Sequence, residues 1–150
     1  MKRMIAFVFV IVLLISLVSI DNDSELKFSM AESGVLVTSK ALEDKECFCS
    51  GNEYYSSFEG DELINLLEDI NQYENVKGVN LYFSNDVPLN YFQSQIDYLE
   101  SETIENVGLL LGYCKDYNDF VWTEGKKINV QLAKIENGWV LGFPMILTGF

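Results

Sequence analysis

The chain has 150 residues, 10 Lys plus Arg against 23 Asp plus Glu, no histidine, and a net charge of −13. The missing histidine excludes Ser-His-Asp and Cys-His catalysis and any histidine metal ligand. The acidity, with no arginine after Arg3, leaves no bidentate phosphate clamp and no basic surface for nucleic acid.

Lys2-Arg3 precedes an apolar run from Met4 to Ile20, broken only by Ser16 and Ser19. A basic start before an apolar segment reads as a signal peptide or an uncleaved N-terminal membrane anchor. The run is near the lower limit for spanning, which takes about 20 apolar residues. No clean small-x-small cleavage site follows, and Leu17-Val18-Ser19 is a poor one. A buried core helix is the blander reading, but the run has no polar face. Lys2 and Arg3 on the short side put the remainder outside the cytoplasm.

Residues 21–150 fit one domain. They hold eight lysines, no arginine and all 23 acids, a charge of −15. The acids are spread along the chain, which describes a solvated surface open to cations or basic partners. Cys47, Cys49 and Cys114 are an odd count, so they form no closed disulfide framework. They read as small buried hydrophobes, with pairing of Cys47 or Cys49 to Cys114 as the alternative. Three thiols without histidine make a poor zinc site.

Asp21, Asp23, Glu25 and Glu32 fall at calcium-loop positions 1, 3, 5 and 12, but Leu26 stands where the loop needs glycine. The better reading is a helix capped by Ser24, with Leu26, Met30 and Ser33 on one side and Gly34 as its stop. Val35–Leu42 is rich in β-branched residues and predicts a strand. Glu43-Asp44-Lys45 reads as a turn, Glu46–Ser50 as a returning strand, and Gly51-Asn52 as a loop leading to Tyr54, Tyr55 and Phe58.

Asp61–Tyr73 is the clearest helix. Leu63, Leu66, Leu67 and Ile70 make its stripe, Ile64 and Tyr73 widen it, and Asp61 and Glu62 suit the positive end of its dipole. Val79–Phe83 reads as a short strand. Val87-Pro88 starts a second helix, with Pro88 at the first helical position and Leu89, Phe92, Ile96 and Leu99 as its apolar side. Thr103–Tyr113 reads as one central strand, covered on both faces by virtue of its Leu109-Leu110-Leu111 run. Asp116–Thr123 reads as a short helix or turn ended by Gly125.

The terminal stretch from Lys126 to Phe150 holds two alternating apolar runs around Asn137-Gly138, the signal of a type I′ hairpin. Ile128, Val130 and Leu132 share one face, opposite Asn129, Gln131 and Ala133. Trp139, Leu141 and Phe143 share a face of the second strand. Pro144 belongs at a sheet edge or bulge, and Gly142 before it marks a kink. The order of elements predicts an α+β fold: a mostly antiparallel sheet with helices on one face, after the N-terminal hydrophobic helix. Two helix-plus-sheet halves would divide near Asn85, without a sequence repeat to support them.

No glycine-rich phosphate loop is present; Gly108 and Gly112 lie in the apolar strand. Carboxylate pairs remain as the available catalytic chemistry. With so many acids some close pair is inevitable, so no catalytic, cofactor or metal residue is singled out. Tyr54, Tyr55, Tyr113, Tyr117 and Trp122, outside the periodic core positions, can furnish a contact surface or merely close sheet edges.

Leu111-Gly112-Tyr113, the strand Lys127-Ile128-Asn129-Val130-Gln131-Leu132-Ala133, and Leu141-Gly142-Phe143-Pro144-Met145-Ile146 ending at Phe150 resemble the C-terminal signature of the YwmB family. The exported start, Ser33-Gly34 and the Asp61-Glu62-Leu63 helix are similar too. The middle is shorter than in typical members, as if trimmed between Val76 and Ile104, and Phe143 replaces the usual threonine. The resemblance implies an exported protein of spore-forming, Gram-positive-type bacteria. It also implies a fold like the TATA-box-binding protein and a cell-envelope or sporulation context, and it carries over no established activity, catalytic residues or cofactor. Gly112, Asn129 and Pro144 read as structural matches.

These observations lead to an exported, envelope-associated, non-catalytic binding or structural module. Its expected partner is another envelope protein or a cationic ligand, not nucleic acid, and the membrane is engaged through residues 1–20 if they are uncleaved. The alternative is a carboxylate-dependent hydrolase acting on cell-wall polymers.

Overall fold

A computed structural model describes residues 26–104 and 107–147. The apolar run of residues 4–20, the Ser24 cap and the first three acids of the calcium-like loop lie outside them. Among the described residues no helix is long and apolar enough to cross a membrane.

The core is an eight-stranded sheet in the order β2-β3-β1-β4-β10-β9-β6-β5, with every neighbouring pair antiparallel. The strands are β1 Ser33–Thr38, β2 Phe48–Ser50, β3 Glu53–Glu59, β4 Val76–Ser84, β5 Tyr98–Ile104, β6 Val107–Tyr113, β9 Val130–Ile135 and β10 Gly138–Phe143. A separate two-stranded ribbon joins β7 Val121–Thr123 to β8 Lys126–Ile128. Among the described residues the helices are α1, Gly60–Asp69, continued by a 3-10 turn at Ile70–Gln72, and α2, Leu89–Gln95.

Both helices lie on one face of the sheet, as their apolar stripes require. Leu63 and Leu66 of α1 and Phe92 of α2 join Leu36, Phe58, Val79, Leu81, Phe83, Val130, Leu132, Leu141 and Phe143 in one core. Phe92 is the hub, its ring 4.9 Å from Phe83 and 5.4 Å from Trp139. Ile64 points away and is 45% exposed. Each helix is a crossover. α1 carries the chain from β3 over β1 to β4, and α2 from β4 over β10, β9 and β6 to the far edge. The α+β class is therefore as expected, and the sheet falls into two four-stranded halves joined at β4–β10, near Asn85. Their chain order differs, so they are not a repeat.

The opposite face is covered differently. Leu109, Leu111, Ala133 and Val140 form a second cluster with Ile128 and Val121 of the β7–β8 ribbon and with Ile146. After a cis Phe143-Pro144 bond the chain doubles back over this face. The Ile146 N–H donates to Gln131 Oε1 (3.0 Å), and the Leu147 N–H to Asn80 Oδ1 (3.3 Å). The strap passes so close that a Cβ on Gly142 would lie 2.5 Å from Ile146 N. The expected kink at Gly142 and Pro144 is this reversal.

Several expectations fail for identifiable reasons. Residues 26–32 are turns, not a helix: Phe28 has φ 61°, outside the right-handed helical region, and its ring is buried against Phe143 at 5.3 Å. Gly34 is no helix stop but a position within β1, where Leu63 Cδ1 would meet a Cβ at 2.9 Å. Pro88 is the N-cap of α2, one residue before the helix, and α2 ends at Gln95. Leu99 is already in β5, because pairing with the Leu109–Leu111 run outweighs helical spacing. The expected single strand over Thr103–Tyr113 is therefore the end of β5 and then β6, and β6 sits next to the edge. The reading of Asp116–Thr123 as helix or turn holds only for its start, since Val121–Thr123 is strand.

The terminal hairpin exists, but its turn is not type I′. Ile135 pairs with Gly138, so Glu136-Asn137 form the loop, and the positive φ, 156°, falls on Gly138 rather than Asn137. Glycine is needed there because a Cβ would lie 1.9 Å from Phe83 O of β4. The common face of Ile128 with Val130 is also wrong. The ladder breaks at Asn129, so Ile128 enters the second cluster while Val130 and Leu132 enter the first.

Candidate functional site

Asn129 is the polar pin at that break. It is fully buried, and its amide donates to Cys114 O (2.8 Å) and Tyr117 O (2.9 Å) while its Oδ1 accepts from Cys114 N (2.7 Å). These bonds shape the loop that leaves β6, residues 114–117, into one wall of a cleft. The second wall is the end of α1 and the 3-10 turn, through Leu67, Glu68, Ile70 and Asn71. The third is the Lys27-Phe28 turn. Phe143 and Tyr117, with rings 5.0 Å apart, contribute apolar surface.

The cleft holds about 250 Å³. That is room for roughly eight waters, and so for a side chain or a small organic cation. Asn71 ties two walls together, its Nδ2 donating to Asp116 O at 2.8 Å. Lys27 reaches across the mouth to Asp116 Oδ2 (2.5 Å) and donates to Gln95 O (3.0 Å), with Cys114 Sγ 3.8 Å away.

The ionisation of these groups follows from their surroundings. Burial by itself would lower the Lys27 pKa, but the bond to Asp116 and the acidic neighbours outweigh it and hold the ammonium above its usual range. Burial pushes the Cys114 thiol up, against the pull of a backbone N–H at Asp116 and of the Lys27 ammonium. Burial, with Asp119 adding to it, pushes the Tyr117 phenol up to about 12. At neutral pH the three are thus ammonium, thiol and phenol, none of them a ready nucleophile or base.

The structure scatters the aromatics expected to form a contact surface. Tyr117 is core, 6% exposed, and is withdrawn from that surface. Tyr54 and Tyr55 stand on β3, and Tyr55 lies 6.2 Å from Phe48, which is 70% exposed at the sheet edge. Tyr113 stacks on Tyr98 at the other end of the sheet. Trp122 is 64% exposed on the β7–β8 ribbon. The cysteines are free, and only Cys114 is the buried hydrophobe expected; Cys49 is exposed and Cys47 partly so. Among the described residues no group of three or more Cys, Asp or Glu could hold a metal ion.

Lys27, Phe28, Cys114 and Asp116 were not legible as a site. They lie on turns far apart in sequence, and no periodicity marks them. Searches of protein-family models, curated proteins and solved structures give no match to this chain.

Proposed function

We propose that the chain is an exported, non-catalytic binding module of the cell envelope, held at the outer membrane face by residues 4–20. The cleft between α1 and the loop of residues 114–117 is its ligand site. The observation that carries this reading is the cleft's make-up: apolar walls and a charged rim of Lys27, Asp116 and Glu68, with Lys27 already paired. Few convergent polar groups over an apolar floor is the usual form of a binding pocket. The carboxylate left over on the rim, in a chain of charge −13, favours a small cationic ligand with an apolar body.

Membership of the YwmB family, and a fold like the TATA-box-binding protein, belong to the same proposal. Support comes from the C-terminal residues quoted above and from two sheet halves carrying helices on one face. The ribbon and the Pro144–Leu147 strap occupy part of the helix-free face, which together with the acidity supports a role other than nucleic-acid binding.

The test is a heteronuclear NMR titration with phenethylamine and, as control, phenylacetate. The amine is expected to shift Leu67, Ile70 and Tyr117 resonances, and Glu68→Gln to weaken it. Purified cell wall serves as the second arm. Hydrolysis of the wall that disappears in Asp116→Asn, with the fold intact, would overturn the binding reading in favour of a carboxylate-dependent hydrolase.

A further inference from the structure

The β7–β8 ribbon carries an exposed group that the cleft does not use. Phe120 and Trp122 are 40% and 64% exposed, edge to face with ring centroids 5.9 Å apart. Lys127, paired with Trp122 across the ribbon, sets its ammonium 4.4 Å from the Phe120 ring and 5.7 Å from the Trp122 ring. The alternate residues, Val121 and Ile128, point inward to the second cluster. The outer face of the ribbon is therefore aromatic and cationic by construction.

We propose that this face rests on the lipid bilayer to which the chain is anchored, with Trp122 and Phe120 at headgroup level. The inference depends on the anchor reading of residues 4–20. Three observations favour a bilayer as the occupant. Tryptophan with an adjacent lysine suits the membrane interface, where an apolar ring and a snorkelling ammonium are both satisfied. Lys127 on this face forms no ion pair among the described residues, while Lys126 on the ribbon's other side is held by Glu100, so the face offers an open cation to anionic lipid within a chain of charge −13.

The third observation is reach. Whatever path residues 21–25 take, the six steps from Ile20 to Leu26 span at most about 20 Å. Lys27 follows and is ion-paired to Asp116, four residues before Phe120. The chain thus enters the domain beside the loop that leads into the ribbon, so the ribbon stands within reach of the bilayer.

The test uses the full chain in vesicles of phosphatidylcholine and phosphatidylglycerol, with and without acyl chains brominated near the headgroups. Flotation reads the anchor, and tryptophan emission reads the ribbon. The chain has only Trp122 and Trp139. Trp139 is tied down by its Nε1–H bond to Val87 O at 3.0 Å and serves as the internal control. The wild type is expected to float and to lose the Trp122 share of its emission to bromine, and Trp122→Phe to float and lose none. Floating protein with unquenched Trp122 overturns the ribbon proposal and leaves the anchor standing, pointing to a protein or glycan partner for the ribbon. Failure to float overturns the anchor reading and the proposal with it.

Discussion

Replacing Asn129 by leucine tests whether one buried amide holds the cleft wall and the break between β8 and β9. The side chains are similar in size, so the effect is chemical rather than steric. Three hydrogen bonds disappear. Cys114 O keeps the Tyr117 N–H at 3.2 Å, so the groups losing this partner without that compensation are the Cys114 N–H and Tyr117 O. An unmet buried group costs about 1–3 kcal/mol, so two cost about 2–6. The extra apolar burial of leucine returns about 1–2 kcal/mol. Taking central values, about 4 kcal/mol lost and about 1.5 returned, the net expectation is a loss of about 2.5 kcal/mol, a large share of the roughly 5–15 typical of a domain. Urea unfolding followed by far-ultraviolet circular dichroism measures it, with an unchanged slope confirming a two-state comparison. Asn129→Asp adds a sign test. A buried carboxyl facing two carbonyls has its folded pKa raised above about 3.9. Its contribution is therefore full below that value and lost as pH rises through the folded pKa. The aspartate variant should approach the wild type near pH 4 and fall behind it at pH 7. A leucine variant within about 0.5 kcal/mol of the wild type would refute the pin.

Gly138→Ala is expected to cost about 2–4 kcal/mol, because its Cβ meets the Phe83 carbonyl of β4 and not a flexible side chain; coincident unfolding midpoints would contradict this. Ser56 has a buried hydroxyl without a hydrogen-bond partner, so Ser56→Ala should be neutral or stabilising by up to about 1 kcal/mol, and a clear loss would show an unseen partner. A thiol reagent should label Cys49 and Cys47 in the folded protein and reach Cys114 only on unfolding, as followed by mass spectrometry. Tyr117 should ionise last among the tyrosines in an alkaline ultraviolet titration, near 12. A folded pKa above the ordinary value of about 10 means that its contribution to stability is present below that pH and lost between there and 12.

The elements written in local periodicity came through from the amino-acid order. The α1 stripe of Leu63, Leu66, Leu67 and Ile70, the face of Trp139, Leu141 and Phe143, and the α+β class all follow from side-chain spacing, which any backbone of that type must honour. What local spacing cannot see is which strand lies beside which. Leu99 satisfies a helix pattern and a strand pattern equally, and only the pairing of β5 with β6 decides it. Gly138 invites a type I′ turn until Phe83 O is found against it, and Gly34 reads as a helix stop until Leu63 packs over it. Asn129 alternates correctly with its neighbours, yet its hydrogen bonds to the residue 114–117 loop end one strand and start another, sending Ile128 to the opposite face. The cleft is the extreme case. Its walls come from a turn at Lys27, the end of α1 and a loop at Cys114–Tyr117. They meet only because two crossover helices and an eight-stranded sheet bring them together, and the energy for that comes from burying a common core that no single segment contains.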